Sequence, residues 1–349
     1  MMIDSIYDLV QGHMRQNRFE EALEVLEMSK ARACLKDGKY WRLKASVLEN
    51  IGHSMAAMQA FKSALKINAQ DAQAHIGLAQ LYHSNAQLNE AIEHYEAAIK
   101  LQCAQKLTAI ENIEYTPFDT QLAESCLFDI LTALYKYGIH AFPIAGSLLG
   151  LVREGRLLKH DKDIDIGLPF IEMLKAAEVM QERGWERLHS MQGLINPQSW
   201  RHSSGLILDF VGFAADGQKL ISGFWYQSIG HPWNRILEYP EIPLKVQFFD
   251  QGEYWYPSQP EILLETLYGS NWQTPDPIFD TIVGAHNLRE FSLLVRCYAL
   301  QRIYRDWVLK RFDKAYSLVV HSLRHSPDNP LFQQIQQALE DHASTFKSK

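Results

Sequence analysis

Five residues, Asp163-Ile164-Asp165-Ile166-Gly167, carry a pattern that few folds can absorb. Asp is disfavoured in β-strands, yet here carboxylates alternate with isoleucines as they would along one. Successive side chains of a strand face opposite ways, so Asp163 and Asp165 share one face and Ile164 and Ile166 the other. Two carboxylates this close repel each other unless a cation lies between them. Mg2+ is the simplest such cation, because it takes one or two carboxylates together with substrate phosphates and water; Mn2+ is the alternative. Upstream, Gly146-Ser147 reads as a small-residue turn opening a helix from Ser147 to about Val152. Such a turn points free backbone N–H groups at an anion. Arg153, about two turns along, adds charge-assisted bonds to phosphate oxygens. The segment reads as a metal- and phosphate-handling active site. A charged edge strand that blocks aggregation is the competing account, and it leaves Gly146-Ser147 and Arg153 without a role.

The rest of the chain sets the frame for such a site. Its 349 residues are enough for two domains, each with its own core. A net charge of −7 argues against a general nucleic-acid or anionic-membrane binder. The four cysteines (Cys34, Cys103, Cys126 and Cys297) are scattered, without CxxC spacing. They fit neither a zinc site nor a disulfide framework, and a reducing, cytoplasmic compartment is the expectation. The N-terminus has no basic start followed by an apolar run, so no signal peptide is expected, and no apolar span predicts a transmembrane segment.

The first third repeats. Ala22, Ala57 and Ala91 are separated by 35 and 34 residues. Four residues after each stand Leu26, Phe61 and Tyr95, and three further on stand Ser29, Ala64 and Ala98. In the preceding helices Ala45 and Leu48 answer Ala79 and Tyr82. Small residues let antiparallel helices approach closely, and the large one fills the gap between successive hairpins. This small-large-small pattern at a 34-residue period resembles the tetratricopeptide repeat, and three copies are about the minimum for a stable solenoid. The resemblance implies a surface for a protein partner or a packing platform for a neighbouring domain. Near the C-terminus Ala315, Val319, Ser322 and Pro327 follow the same second-helix spacing, with Ala299 and Ile303 in the helix before.

From about Asp119 the texture changes. A helix from Gln121 to Tyr137 ends at Gly138, a C-cap residue, and a strand from Ile139 to Ala145 leads to Gly146-Ser147. After the carboxylate strand, Pro169 opens an amphipathic helix to about Arg183, stopped by Gly184. Strands follow at Leu206–Phe213, Leu220–Tyr226 and Leu244–Phe249. This order is that of a mixed α/β domain. Asp209 stands alone in the apolar run Leu206-Ile207-Leu208-Asp209-Phe210-Val211. A buried carboxylate needs a partner, and a metal shared with Asp163 and Asp165 supplies one. His160 and Asp161 either touch substrate or metal or belong to a solvated loop. Trp225, Tyr226, Trp233, Tyr254, Trp255 and Tyr256 either stack a base or sugar or pack the core.

Gly146-Ser-Leu-Leu-Gly-Leu-Val-Arg153, Lys162-Asp-Ile-Asp-Ile-Gly167 and Asp209 together resemble the LicD/fukutin family of the nucleotidyltransferase superfamily, most closely its fukutin-like branch. His231-Pro232-Trp233-Asn234-Arg235, Tyr254-Trp255-Tyr256-Pro257 and Leu267-Tyr268-Gly269, with Trp272 and Pro275, continue the resemblance over roughly residues 118–285. Lys162 departs from the acid that many LicD members carry there, a change the fukutin-like members tolerate.

The resemblance implies Mg2+-dependent transfer of a phosphorylated alcohol, of the choline phosphate or ribitol phosphate type, from a CDP-linked donor to a glycan hydroxyl. Asp163, Asp165 and Asp209 would hold the metal, with Asp209 alternatively taking the acceptor's proton. Gly146, Ser147, Arg153 and Arg235 would bind phosphate. Plain nucleotidyl transfer from an NTP would use the same carboxylates, and a repeat scaffold with an inactive nucleotide-binding domain is the non-enzymatic alternative. The expected architecture is α+β and multidomain: an all-α tetratricopeptide solenoid over residues 1–105, a nucleotidyltransferase-like domain over 115–285 and C-terminal helices over 286–345. The expected location is cytoplasmic or peripheral to a membrane-bound glycan assembly complex.

Overall fold

The computed structural model describes residues 2–28, 37–104, 119–159, 161–188, 193–230, 234–250 and 252–347. Cys34 and Ser29, read above, lie outside the described residues, as do His160, His231, Pro232 and Trp233. The chain divides into two compact units. One begins with the helices α1 (Met2–Arg15), α2 (Phe19–Glu27), α3 (Gly38–Asn50), α4 (Ser54–Ile67), α5 (Ala72–Ser84) and α6 (Leu88–Cys103). Residues 299–319 and 328–349 belong to the same unit.

The helices of this unit pack pairwise along the chain, α1 on α2, α3 on α4 and α5 on α6. Side-chain caps start two of them: Asp37 accepts from the Lys39 amide at 2.9 Å and Asp71 from the Ala74 amide at 3.1 Å. The repeated alanines Ala22, Ala57, Ala64, Ala91 and Ala98 are fully buried, and Leu26, Phe61 and Tyr95 are buried beside them.

The turns repeat as well. Asn17, Gly52 and Ala86 all have positive φ (56°, 85° and 60°), each five residues before one of the alanines. The next residue donates its amide five residues back: Arg18 to His13 O at 3.0 Å, His53 to Leu48 O at 2.8 Å, Gln87 to Tyr82 O at 2.9 Å. This is the left-handed helix ending in which two amides satisfy orphan carbonyls. The same turn recurs between α11 (Leu293–Val308) and α12 (Phe312–His325). There Lys310 has φ 56°, Arg311 donates to Asp306 O at 2.7 Å, and Ala315 follows five residues later, fully buried. The last helix is α13 (Pro330–Lys347).

The second unit is built on a mixed eight-stranded sheet: β1 (Phe142–Pro143), β2 (Ile164–Pro169), β3 (Glu186–Arg187), β4 (Leu194–Asn196), β5 (Gln198–Arg201), β6 (Ile207–Asp216), β7 (Lys219–Tyr226) and β8 (Arg235–Tyr239). Its spine runs β1-β2-β6-β5-β3, and the far end of β6 pairs with β7, which also carries β4 and β8. β2 and β6 are parallel; the other pairs are antiparallel. A separate hairpin joins β9 (Leu244–Phe249) to β10 (Gly252–Pro257).

Helices cover both sheet faces. Ile164, Ile166, Leu208, Phe210 and Trp200 face α7 (Thr120–Lys136) and α9 (Met173–Glu182) in one apolar core. Phe142, Phe213, Leu237 and Tyr239 pack with α8 (Ala145–Glu154) and α10 (Pro260–Tyr268) in the other.

Two expected elements differ. The strand expected over Ile139–Ala145 shrinks to Phe142–Pro143, because Ala141 folds back onto Ile139 O at 3.0 Å and Ala145 already opens α8. The helix after Pro169 begins as a 3-10 turn over Phe170–Glu172. β3, β4, β5, β8 and β10 fall outside the expected strands. Among the described residues no helix is long and apolar enough to cross a membrane.

The close helix approach at Gly77 is testable. A Cβ there would overlap the ring of Phe61, which is buried between neighbouring helices. Gly77→Ala is expected to lower stability by about 1–3 kcal/mol through overpacking, and Phe61→Leu in the same chain is expected to recover part of it. Denaturant titration of the three proteins measures both effects; an unchanged midpoint in Gly77→Ala contradicts the packing.

Candidate active site

The parallel register of β2 and β6 sets Asp165 beside Asp209, and the antiparallel register of β5 and β6 sets Ser199 beside Asp209. Paired residues of adjacent strands point to the same face, so the three side chains form a row across the sheet. They lie opposite the Ile164 and Ile166 face, on the side covered by α8 and α10. Asp165 and Asp209, both expected to bind one metal, are therefore register neighbours on one face. Asp163 stands just before β2, two residues from Asp165.

Asp165 is held at three points by the start of α8. Its carbonyl accepts from the Ile144 amide at 3.2 Å, its amide donates to Ser147 Oγ at 2.9 Å, and its carboxylate Oδ2 accepts from the Gly146 amide at 3.2 Å. The Gly-Ser turn thus presents an amide to an anion, and the anion it meets is the chain's own carboxylate. Ser147 is fully buried in this arrangement. Ala145 takes φ 47° to make the turn, a conformation costly for a residue with a Cβ. A Cβ at Gly146 would stand 2.5 Å from Asp161 Oδ2.

Four carboxyl groups, Asp161, Asp163, Asp165 and Asp209, gather here. Burial pushes Asp165 well above the ordinary carboxylate range, and the charges of Asp163, Asp161 and Asp209 push it further, with the Gly146 amide opposing. Burial raises Asp161 to about 6, against the Lys162 amide and ammonium. Burial also raises Asp209, with a hydrogen bond from Ser199 opposing. Asp161 Oδ2 and Asp209 Oδ1 are buried without a hydrogen-bond partner.

Tyr268, at the end of α10, reports the same cluster from the other side. Its phenol is raised by burial and then by Asp165, Asp161 and Tyr239, while Arg153 lowers it. Arg153 is seven residues from Gly146 along α8 and so lies on the same helix face. Its Nε is buried without a partner, and its guanidinium reaches Glu154 only at 3.4 Å.

Arg235 is placed differently. Its guanidinium donates to the carbonyls of Ile282, at 2.9 Å, and Thr281, and it lies over the Phe224 ring at 5.0 Å. The residue is 3% exposed and ties β8 to the segment at 281–282. Three of the aromatic residues are likewise packed. Tyr226 OH meets Tyr298 OH at 3.0 Å, Tyr254 lies edge-on to Phe128 at 5.5 Å and Trp255 stacks on His140 at 5.3 Å.

The donor set fits a hard divalent cation. Its atoms are carboxylate oxygens, two of them buried and unpartnered, in a cluster that repels itself when ionised. Among the described residues no three His, Cys, Asp or Glu side chains are gathered closely enough to enclose a metal by themselves. Mg2+ requires only one or two carboxylates, with phosphate and water completing its shell.

Residues 138–233 match the LicD/FKTN/FKRP nucleotidyltransferase domain. Gly146, Ser147, Arg153, Asp163, Asp165 and Asp209 all fall inside this match, and Arg235 lies two residues beyond it. Residues 72–102, which hold α5 and α6, match the tetratricopeptide repeat. No curated protein matches the chain. Among solved structures, the type III secretion chaperone SycD of Yersinia enterocolitica, in complex with a peptide of the translocator YopD, is 14% identical over 28% of this chain and 74% of its own, with a TM-score of 0.27. PcrH in complex with the chaperone binding region of PopD is 15% identical over 29% and 76%, with a TM-score of 0.27. The lincosamide antibiotic adenylyltransferase LnuA, lincomycin-bound, is 16% identical over 40% and 84%, with a TM-score of 0.28.

Sequence reading left Asp161 undecided and missed Ser199 and Tyr268 as site residues. Asp161 carried a usable signal, since it continues the Asp163/Asp165 alternation by one more step. Ser199 carried none, because its face depends on the register of a four-residue strand.

The crowded carboxylates predict a pH dependence. With metal removed by EDTA, the folded protein keeps Asp161 protonated up to about 6, and Asp165 is also held well above the ordinary carboxylate range, whereas the unfolded chain releases these protons near 4. The folded state then binds more protons, so stability falls as pH rises through this window. Asp165→Asn removes part of that loss. Its thermal midpoint is expected to gain on wild type steadily from pH 4.5 to 7 in EDTA; a constant difference across that range contradicts the reading.

Proposed function

We propose that this site transfers a phosphorylated alcohol, of the choline phosphate or ribitol phosphate type, from a CDP-linked donor to a glycan hydroxyl. The observation that carries the reading is the row Asp165–Asp209–Ser199 beside the start of α8, inside the segment that matches the LicD/FKTN/FKRP domain. Asp163 and Asp165 would hold Mg2+, or Mn2+ in its place, with Asp209 as a third ligand where the acceptor's proton leaves by another route. When bound, the cation neutralises the diphosphate and the charge that develops on the departing CMP.

The chain's own groups do the positioning. Gly146 and Ser147 fix Asp165 so that its carboxylate does not reorient as the donor arrives. Arg153, with unused donors on the same helix face, binds the donor phosphates, and charge-assisted contacts of this kind supply much of the catalysis in phosphoryl transfer. Asp209, hydrogen-bonded through Ser199 and with Oδ1 unpartnered, takes the proton of the acceptor hydroxyl. Arg235 is already engaged with two backbone carbonyls, so its contribution to phosphate binding is indirect. The repeat helices would dock a protein partner, and a cytoplasmic position beside a membrane-bound glycan assembly complex would bring the acceptor within reach.

The nucleotidyltransferase description of the matched domain keeps a second reading in play, attack on an NTP with loss of pyrophosphate. One assay separates the two. CDP-choline, CDP-ribitol and the four NTPs are incubated with wild type and Asp163→Ala, in Mg2+ or in EDTA. CMP from one CDP-alcohol, lost in EDTA and in the variant, is expected, and Asp209→Asn is expected to slow it by about 10²–10⁴-fold. Pyrophosphate from an NTP without CMP would replace the proposal with the second reading. Nucleotide binding without either product, in the presence of glycan acceptors, would favour a scaffold.

A further inference from the structure

The helical unit holds a pair of imidazoles that the transferase reading does not use. His75, on α5, and His94, on α6, bring their Nδ1 atoms to 2.8 Å, with ring centroids 5.0 Å apart and planes inclined by 41°. Both residues are half-buried. His75 Nε2 lies 3.1 Å from the carbonyl of Ala69. A carbonyl only accepts, so Nε2 carries a proton, and in the neutral imidazole His75 Nδ1 is then a bare lone pair. With both imidazoles neutral and no metal bound, His94 Nδ1–H donates to His75 Nδ1.

We infer that His75 and His94 form a two-histidine clasp for a divalent transition-metal ion, bridging α5 and α6. Three observations converge on this ligand class. A histidine that binds metal through one nitrogen commonly donates the other N–H to a carbonyl, which orients the ring, and Ala69 O does this for His75. Two nitrogens at 2.0–2.1 Å from one ion stand about 2.8–3.4 Å apart for ligand angles near 90–109°, a range whose lower end meets the 2.8 Å observed. The His94 ring is also fixed, stacked on Tyr82 with centroids 5.6 Å apart and planes 9° from parallel. Burial, with His75 and Lys62 adding, lowers His94 to about 4, so the imidazole is neutral and able to ligate at neutral pH.

Binding needs no net loss of a proton. The His94 proton moves from Nδ1 to Nε2, and the metal takes its place between the two Nδ1 atoms. Water completes the shell, since no third His, Cys, Asp or Glu joins the pair among the described residues. Imidazole nitrogen selects Ni2+, Cu2+ or Zn2+ over Mg2+, which separates this clasp from the carboxylate cluster. Lys62 works against the ion: its ammonium lies 5.4 Å from the Tyr82 ring, on which His94 stacks.

Calorimetric titration of the full chain with Ni2+, in excess Mg2+, tests the clasp. A site lost or weakened at least tenfold in His75→Gln and in His94→Phe is expected. His94→Phe keeps an aromatic ring against Tyr82, and the half-exposed His75→Gln serves if that variant misfolds. The site is expected to persist in Asp163→Ala and to tighten several-fold in Lys62→Gln. Ni2+ binding unchanged by both histidine variants, lost in Asp163→Ala, or absent from wild type overturns the inference and leaves the pair a neutral hydrogen bond.

Discussion

The three-point grip on Asp165 is the constraint on which the site depends. Main-chain bonds to Ile144 and Ser147 and a carboxylate bond from Gly146 fasten the start of α8 to β2. That attachment fixes where α8 begins, and hence where Arg153 emerges two turns later. It also requires Ala145 to adopt φ 47°, and a Cβ at position 146 would crowd the Asp161 carboxylate. Strain concentrated at one corner is characteristic of functional sites. Here it aligns a helix start, a carboxylate and a guanidinium without help from the loops.

A different device orders the helical unit. The left-handed turn of Asn17, Gly52 and Ala86 sets each second helix in the same relation to its first, and the buried alanine five residues on lets the two meet closely. Lys310 and Ala315 reproduce both parts. Only one of these four turns uses glycine, although glycine is the residue best suited to positive φ. Two capping bonds at each turn offset the strain at Asn17, Ala86 and Lys310. The hairpin geometry therefore persists where the turn residue itself gives no sign of it.

This contrast explains what could be read from the sequence. The alternation of Asp165 with Ile164 and Ile166, and of Asp209 with Leu208 and Phe210, reported their faces directly, because a strand's side-chain period is two; Asp163 instead stands in the bend before β2. The buried alanines were equally legible at their 34- and 35-residue spacing. Ile139–Ala145 misled because its apolar run matches a strand, while the turn at Ala141 and the left-handed Ala145 leave only Phe142–Pro143 to pair. Arg235 misled for another reason. An arginine beside aromatic residues looks the same in sequence whether it meets phosphate or backbone carbonyls, and here it meets Thr281 and Ile282, 46 and 47 residues away. Long-range pairing of this kind leaves no local trace. Tyr268 was read as part of a motif, yet its place beside Asp161 and Asp165 follows only from the packing of α10 against α8.

The two carboxylates at the centre of the sheet are chemically unlike, and the difference comes from their neighbours rather than their residue type. Asp165 accepts a hydrogen bond from a helix amide and is surrounded by three other carboxyl groups. Its geometry is fixed while its charge is strongly opposed, which suits a group whose counter-charge arrives with the ligand. Asp209 is one strand away, bonded through Ser199, with one oxygen open. Burial, rather than neighbouring charge, is what raises it. Pairs of titratable groups held in contrasting environments divide acid–base and electrostatic roles between them. On the proposed chemistry this places donor binding on the α8 side of the row and acceptor activation on the β5 side. The approach of the two substrates is then set by strand order, β2 then β6 then β5, in the sheet itself.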